Sequence, residues 1–260
     1  MKKLTGSKVF LVVLICLCVV LVTACVVLGV MTARDAGKPA PTPEPTPIPT
    51  AAPTPCPTPE PTPEPTPEPT PTPYDPPEEL LAARELNPHV IAWLEIPGTE
   101  ISYPILQHPT EDNHYLDVTI EGGYGYPGSI YTNSMEGRDF DTFNTVIYGH
   151  NMGNGTYFGS LKNYHERDFL ASHREIDVYT PTAKHVYDVF AVVIYDDRYI
   201  TDVYNDSRES DRAAFLRSLA DMGATILDDV AVGPDGHIVT LSTCVAGMPN
   251  NRLLIVAAER

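Results

Sequence analysis

Hydrophobic positions follow three regimes along the chain. From Val9 to Met31 they run for 23 residues without a charge. From Pro39 to Pro77 they nearly vanish, and proline recurs at about every second position, taking 19 of the chain's 27 prolines. From Glu78 onward, short β-branched runs alternate with turn residues. The first regime predicts a transmembrane helix over 9–31: at ~1.5 Å per residue it spans about 34 Å, enough for a hydrocarbon core of ~30 Å. Lys2, Lys3 and Lys8 before it, against Arg34, Asp35 and Lys38 after it, put residues 1–8 on the cytoplasmic side. Val22-Thr23-Ala24-Cys25 is similar to a lipoprotein processing site, but Val26–Met31 stays apolar where such a protein turns polar. Residues 32–77 form a Pro/Thr/Glu-rich linker. Its alternating prolines forbid helix and sheet ladders and favour polyproline II, so Pro39–Pro77 could reach about 120 Å when extended.

The third regime, 78–260, predicts one mostly β domain. Glu78 to Leu86 reads as a short helix stopped by Asn87-Pro88. Eight runs read as strands: VIAWLEIP, ISYPILQ, GSIYTN, NTVIYGHN, EIDVYT, HVYDVFAVVIYD, HIVTLSTC and RLLIVAAE. Punctuated by Pro-Gly, Gly-Gly and Asp-Gly, they point to a barrel or a sandwich. Two helical interruptions are expected, over Tyr157–Phe169 and, with Ala214, Phe215, Leu219 and Met222 at helical spacing, over Ser207–Met222.

Charge and cysteine content narrow the function classes. With 34 acidic against 17 basic residues the net charge is −17; such a field repels phosphate backbones, so no nucleic-acid partner is expected, and it argues against docking on anionic lipid. Of five cysteines only Cys244 lies in the folded region, which excludes an internal disulfide and a CxxC zinc site. His89, His108, His114, His165, His173, His185 and His237 show no HxxxH or HxH spacing and no cysteine partner, and Asp139-Phe140-Asp141 lacks the oxygen ligands of a calcium loop, so neither metal nor cofactor is expected. A lone cysteine reads either as a small buried hydrophobe or as a nucleophile.

Two positions dominate the chemistry. His150 ends NTVIYGH and Cys244 ends IVTLSTC, each followed by loop-like residues, the place where a rigid ladder holds functional side chains against an open loop. Eight residues after Cys244, Arg252 opens the otherwise apolar run RLLIVAA. An arginine entering so apolar a run is unusual, and taken alone it reads either as a strand-edge charge facing water or as a functional cation.

TLSTC, NRLLIVA with Arg252, YGHNM around His150 and WLEIPGTEISYPILQ occur in this chain in the order, and with the Cys-to-Arg spacing, that the sortases have. On these residues Glu78–Arg260 resembles that family, and the helices at Glu78 and at Ser207–Met222 make it more similar to class B than to class A. The resemblance implies a closed eight-stranded β-barrel with an amino-terminal helix and a long helix before the penultimate strand. It also implies cysteine transpeptidation of secreted proteins at a carboxy-terminal sorting signal, with transfer to a peptidoglycan cross-bridge amine or a pilin lysine. The enzyme would be a single-pass bacterial membrane protein with its catalytic domain outside the cell.

Elementary chemistry agrees with the implied roles. With a thiol near ~8.5 and an imidazole near ~6.5, thiolate and imidazolium coexist in only about 1% of molecules at pH 7, and a nearby cation raises the thiolate share. Cys244 is then the nucleophile, His150 the general acid to the leaving amine, and Arg252, which cannot lose its proton, the oxyanion and substrate-orienting group. Ser242, Thr243, Tyr115 and Leu116 resemble positions near the substrate groove. Two other readings are an L,D-transpeptidase, whose S-H-G-C-x-R motif puts arginine two residues after cysteine rather than eight, and a non-catalytic stalked binding domain with Cys244 buried.

Overall fold

The computed structural model describes residues 74–260. The expected 9–31 anchor and the expected linker up to Pro73 lie outside the described residues. Among the described residues no helix is long and apolar enough to cross a membrane.

The first element is helix α1, Glu78–Leu86, with Glu78 and Glu79 in its first turn and Arg84 in its last, each on the end of the helix dipole that favours it. Asn87 leaves the helix at φ −143°, ψ 115°, the extended conformation that the following Pro88 imposes. The strands follow as β1 Val90–Glu95, β2 Ser102–Gln107, β3 Ile130–Thr132, β4 Asn144–Tyr148, β5 Glu175–Tyr179, β6 Lys184–Asp196, β7 Thr225–Ile226, β8 Ile238–Val245 and β9 Met248–Glu259. A 3-10 turn, His114–Leu116, precedes β3; a second one, Gly159–His165, and helix α2, Arg167–Ser172, fill the expected helical interruption after β4. Helices α3, Ile200–Val203, and α4, Glu209–Asp221, join β6 to β7.

The sheet runs β5-β1-β2-β3-β4-β8-β9-β6, and β6 pairs back onto β5, closing eight strands into a barrel. The expected barrel is therefore borne out, together with its two helices. The thirteen-residue β6 is long enough to hold β5 along its first half and the two-residue β7 beside Ala191 and Val192. β7 was not anticipated: two exposed residues carry no alternation to read.

Alternation along β9 explains the apolar runs. Leu253, Ile255 and Ala257 point into the barrel with Val239 and Leu241 of β8. Leu254, Val256 and Ala258 point outward, where Phe215 and Leu219 of α4 cover them. A strand buried on both faces has no polar side to show. On the opposite wall, Leu80 and Ala83 of α1 cover Val90, Leu106 and Tyr131.

One carboxyl is sealed into this packing. Glu136, before β4, is 7% exposed; its Oε2 accepts the Val146 N–H at 3.4 Å, and Oε1 has no hydrogen-bond partner among the described residues. Burial pushes its titration up from 4.5 to about 8. Folded and unfolded chains both hold this proton below pH 4.5. Between 4.5 and 8 only the folded chain keeps it, so stability falls as pH rises through that window, by up to about 1.4 kcal/mol per unit, and flattens above it. Glu136→Gln should erase this slope and be the more stable protein at pH 8–9. Urea unfolding of both proteins at pH 5, 7 and 9 checks it; parallel pH profiles would refute the assignment.

Candidate active site

The register of three adjacent strands builds the site. β4 and β8 run parallel with a constant offset, from Asn144 opposite Ile238 to Tyr148 opposite Ser242. Hydrogen bonds carry the match past the end of β4. Gly149 N–H donates to the Ser242 carbonyl (3.2 Å), Thr243 Oγ1 donates to the Gly149 carbonyl (2.7 Å), and Asn151 Nδ2 donates to the Cys244 carbonyl (2.8 Å). Two residues beyond the Tyr148–Ser242 pair, and past the end of β4, His150 thus comes level with Cys244. On the other side of β8, Cys244 pairs directly with Arg252 of β9. His150, just past the end of β4, Cys244 on β8 and Arg252 on β9 lie abreast, and all three line one cleft of about 230 Å³.

The segment after Cys244 departs from the expected loop. Val245 pairs with Met248 across a two-residue turn in which Gly247 takes φ +77°, so β9 starts at Met248 and not at Arg252. Because Cys244 pairs with Arg252 and Val245 with Met248, the residues Pro249 to Asn251 have no partner on β8 and bulge from that ladder, while Asn251 still pairs with Asp196 of β6. Arg252 Nη1 donates to the carbonyls of Pro249 and Asn251, both at 3.0 Å, and ties the bulge down. No carboxylate bonds to Arg252 among the described residues, whereas its cleft neighbour Arg198 is paired with Asp196. The unneutralised cation in the cleft is therefore Arg252, at the wall beside the thiol. Cys244 is exposed, which removes the reading of a buried structural cysteine.

His150 is oriented from two sides. Its Nε2–H donates to the Leu116 carbonyl at 3.0 Å, so Nδ1 carries the lone pair of the neutral ring. The Tyr126 ring packs edge-on at 4.7 Å between centroids. The strut that presents Leu116 depends on Gly128. At φ +66°, a Cβ there would sit 2.2 Å from the Leu116 carbonyl oxygen, so only glycine lets the two backbones approach.

The other expected groove residues divide. Leu116, Ser242 and Thr243 line the cleft, although the Thr243 hydroxyl is already spent on Gly149. Tyr115 does not line it. It is 3% exposed, packs beneath α1, and its hydroxyl is shared with His89 Nδ1 (2.7 Å) and Asn87. In the 3-10 turn, Tyr115 and Leu116 face opposite ways. Residues missed from the sequence complete the walls: Asn113, Tyr131, Tyr148 and Tyr199. Tyr148 stands two residues before His150, as Ser242 stands two before Cys244, and strand alternation could have flagged it. Burial raises the Tyr131 and Tyr148 phenols well above their usual range, so both stay neutral. Tyr131 donates to Asn113 Oδ1 at 2.9 Å.

The chain matches known proteins over this same region. The family model described as a sortase domain covers residues 94–260. Sortase B of Listeria monocytogenes is 32% identical over 169 residues, 64% of this chain and 67% of that protein. Sortase B of Staphylococcus aureus is 31% identical over 179 residues, 66% and 71% of the two chains. The X-ray structure of Clostridium perfringens sortase B superposes with a TM-score of 0.63 at 25% identity, over 69% of this chain and 98% of that one. The closed barrel agrees with these likenesses: the chain belongs to the sortase family, as a class B-like cysteine transpeptidase.

Proposed function

We propose that Cys244, His150 and Arg252 carry the transpeptidation, and the side-by-side register of the three strands is the observation that carries this reading. Sortases act on proteins bearing a sorting signal and transfer them to an amine acceptor. In the proposed sequence, the Cys244 thiolate attacks the scissile carbonyl carbon and Arg252 donates to the oxygen that gains the charge. Collapse of the tetrahedral species breaks the C–N bond, and His150 gives its proton to the departing amine, leaving a thioester on Cys244. An incoming amine then attacks that carbonyl, loses a proton to His150, and expels the thiolate as the new amide forms. Cys244 is exposed beside an arginine that no carboxylate among the described residues neutralises, so its sulfur is open to a substrate carbonyl. Leu116, Ser242 and Thr243 would contact the sorting signal.

The domain is proposed to work at the bacterial surface, held by residues 9–31 as a single-pass anchor, with 32–77 as an external spacer and 78–260 as the catalytic domain. The acceptor is a peptidoglycan cross-bridge amine or a pilin lysine. All the assigned groups lie beyond the linker, so a chain lacking residues 1–77 should be soluble and should cleave a library of sorting-signal peptides. With an oligoglycine or lysine amine supplied, mass spectrometry should find the amide product growing at the expense of the hydrolysed one. A folded but inactive fragment would give the linker a catalytic part and sink the domain division.

A further inference from the structure

We infer that the loop between β2 and the 3-10 turn binds one divalent transition-metal ion through His108, Glu111 and His114. One ring nitrogen from each histidine and one Glu111 oxygen lie within 4.8 Å of one another. Tetrahedral zinc, with bonds of about 2.0–2.2 Å, wants its ligand atoms roughly 3.3–3.5 Å apart, so closure asks for side-chain movements of about an ångström or so. Two imidazoles and a carboxylate, with the fourth position left to water, suit zinc and its neighbours better than calcium or magnesium.

The backbone behind the ligands is held in place. Asp112 Oδ1 accepts from both the N–H and the hydroxyl of Ser134 at 2.8 Å, and Asn113 N–H donates to Asn133 Oδ1. Asn113 takes the left-handed φ of +56°, and this reversal brings His114 back over His108, their rings stacked 4.2 Å apart. His89 packs edge-on to His108 at 5.2 Å and Tyr115 edge-on to His114 at 4.9 Å, walling the set on its inner side.

Proton positions are compatible with binding. Glu111 Oε2 accepts from His114 Nδ1 at 2.8 Å, which leaves the lone pair of that neutral ring on Nε2. His108 Nδ1 accepts the Glu111 N–H at 2.9 Å and the Thr110 N–H at 3.4 Å, so its lone pair is at Nδ1, and an ion that took it would release two solvent-exposed N–H groups to water. The Glu111 side chain is 64% exposed and can swing onto the ion while His114 gives up that bond. Spacing alone misses this set because His-x2-Glu-x2-His lies in a loop and not along a helix face; the turn at Asn113 is what gathers it. His114 also opens the turn whose Leu116 carbonyl holds His150 Nε2 at 3.0 Å, so an ion bound here would stiffen the strut behind the candidate general acid.

The test uses the full chain with its five thiols alkylated by iodoacetamide, so that cysteine cannot compete for the metal. Zinc chloride is titrated against a chromogenic chelator, and thermal unfolding is followed with and without zinc. One ion per chain is expected, with a rise in Tm. Affinity should fall at least about tenfold in His108→Ala, His114→Ala and Glu111→Gln, and the rise in Tm should disappear. Glu111→Gln alters an exposed side chain, so its metal-free Tm should match the parent's. Zinc affinity in Glu111→Gln and His114→Ala equal to the parent's, or no zinc bound by the parent, would overturn the site. Because neither readout uses activity, its failure is distinct from a failure of the cysteine mechanism.

Discussion

Cys244→Ala should lose all thioester formation and at least about 10⁴-fold in cleavage rate, the scale on which covalent enzymes lose activity when the nucleophile goes. No other described residue can take over, because Cys244 is the one cysteine of the described domain. The fold should survive. The thiol is exposed, so its removal opens no cavity, and the backbone bond from Asn151 Nδ2 to the Cys244 carbonyl does not involve the side chain. Stability should therefore stay within roughly 0.5 kcal/mol. Intact-mass measurement after incubation with a sorting-signal peptide should show an acyl adduct on the parent and none on the variant. Iodoacetamide should label the native parent quickly and stop its activity. Unchanged cleavage by Cys244→Ala would end the proposed mechanism.

Arg252 carries the second large effect. Its proposed task needs a permanently charged planar donor beside both sulfur and substrate carbonyl. Removal of a single oxyanion donor costs about 10²–10³ in rate, and Arg252→Ala should lose at least that much kcat/KM. Arg252→Lys keeps the charge but not the fork, so it should also fall strongly. The structure adds a second duty, since Nη1 also ties the carbonyls of Pro249 and Asn251. Lysine can satisfy one of these carbonyls, and in alanine both can turn to water, so the barrel should stay folded while the bulge loosens. Circular dichroism and steady-state kinetics on both variants separate the two duties. Near-native kcat/KM in Arg252→Ala would refute the catalytic role.

How much of this could be read from the chain depended on the range of the interaction. Cys244 and Arg252 sit on one hairpin, so their spacing is a local quantity and stands in the sequence as TLSTC followed by NRLLIVA. All eight barrel strands were legible for the same reason: each is a contiguous apolar run. The pairing of His150 with Cys244 is not local, because it depends on a parallel ladder between segments 94 residues apart, and only the family resemblance brought it into view. Tyr199 comes from the connection after β6, a segment without periodic pattern. The family resemblance puts Tyr115 and Leu116 together near the groove, yet a single step along a 3-10 turn sends Tyr115 under α1. The His108–Glu111–His114 set was dismissed on spacing, and only the left-handed Asn113 shows how the loop gathers it.

The three-abreast register has a consequence for how this domain can vary. Side chains on a strand alternate with a period of two, so adding or deleting one residue inside β4 or β8 would send His150 or Cys244 toward the barrel interior. A length change between the strands leaves the frame intact. The connection between β6 and β7, with α3 and α4, could grow or shrink without shifting any of the three groups relative to the others. The three proposed groups are thus insulated from that connection, which supplies Arg198 and Tyr199 to the cleft, whereas the β2–β3 connection, whose Leu116 carbonyl holds His150, has no such freedom.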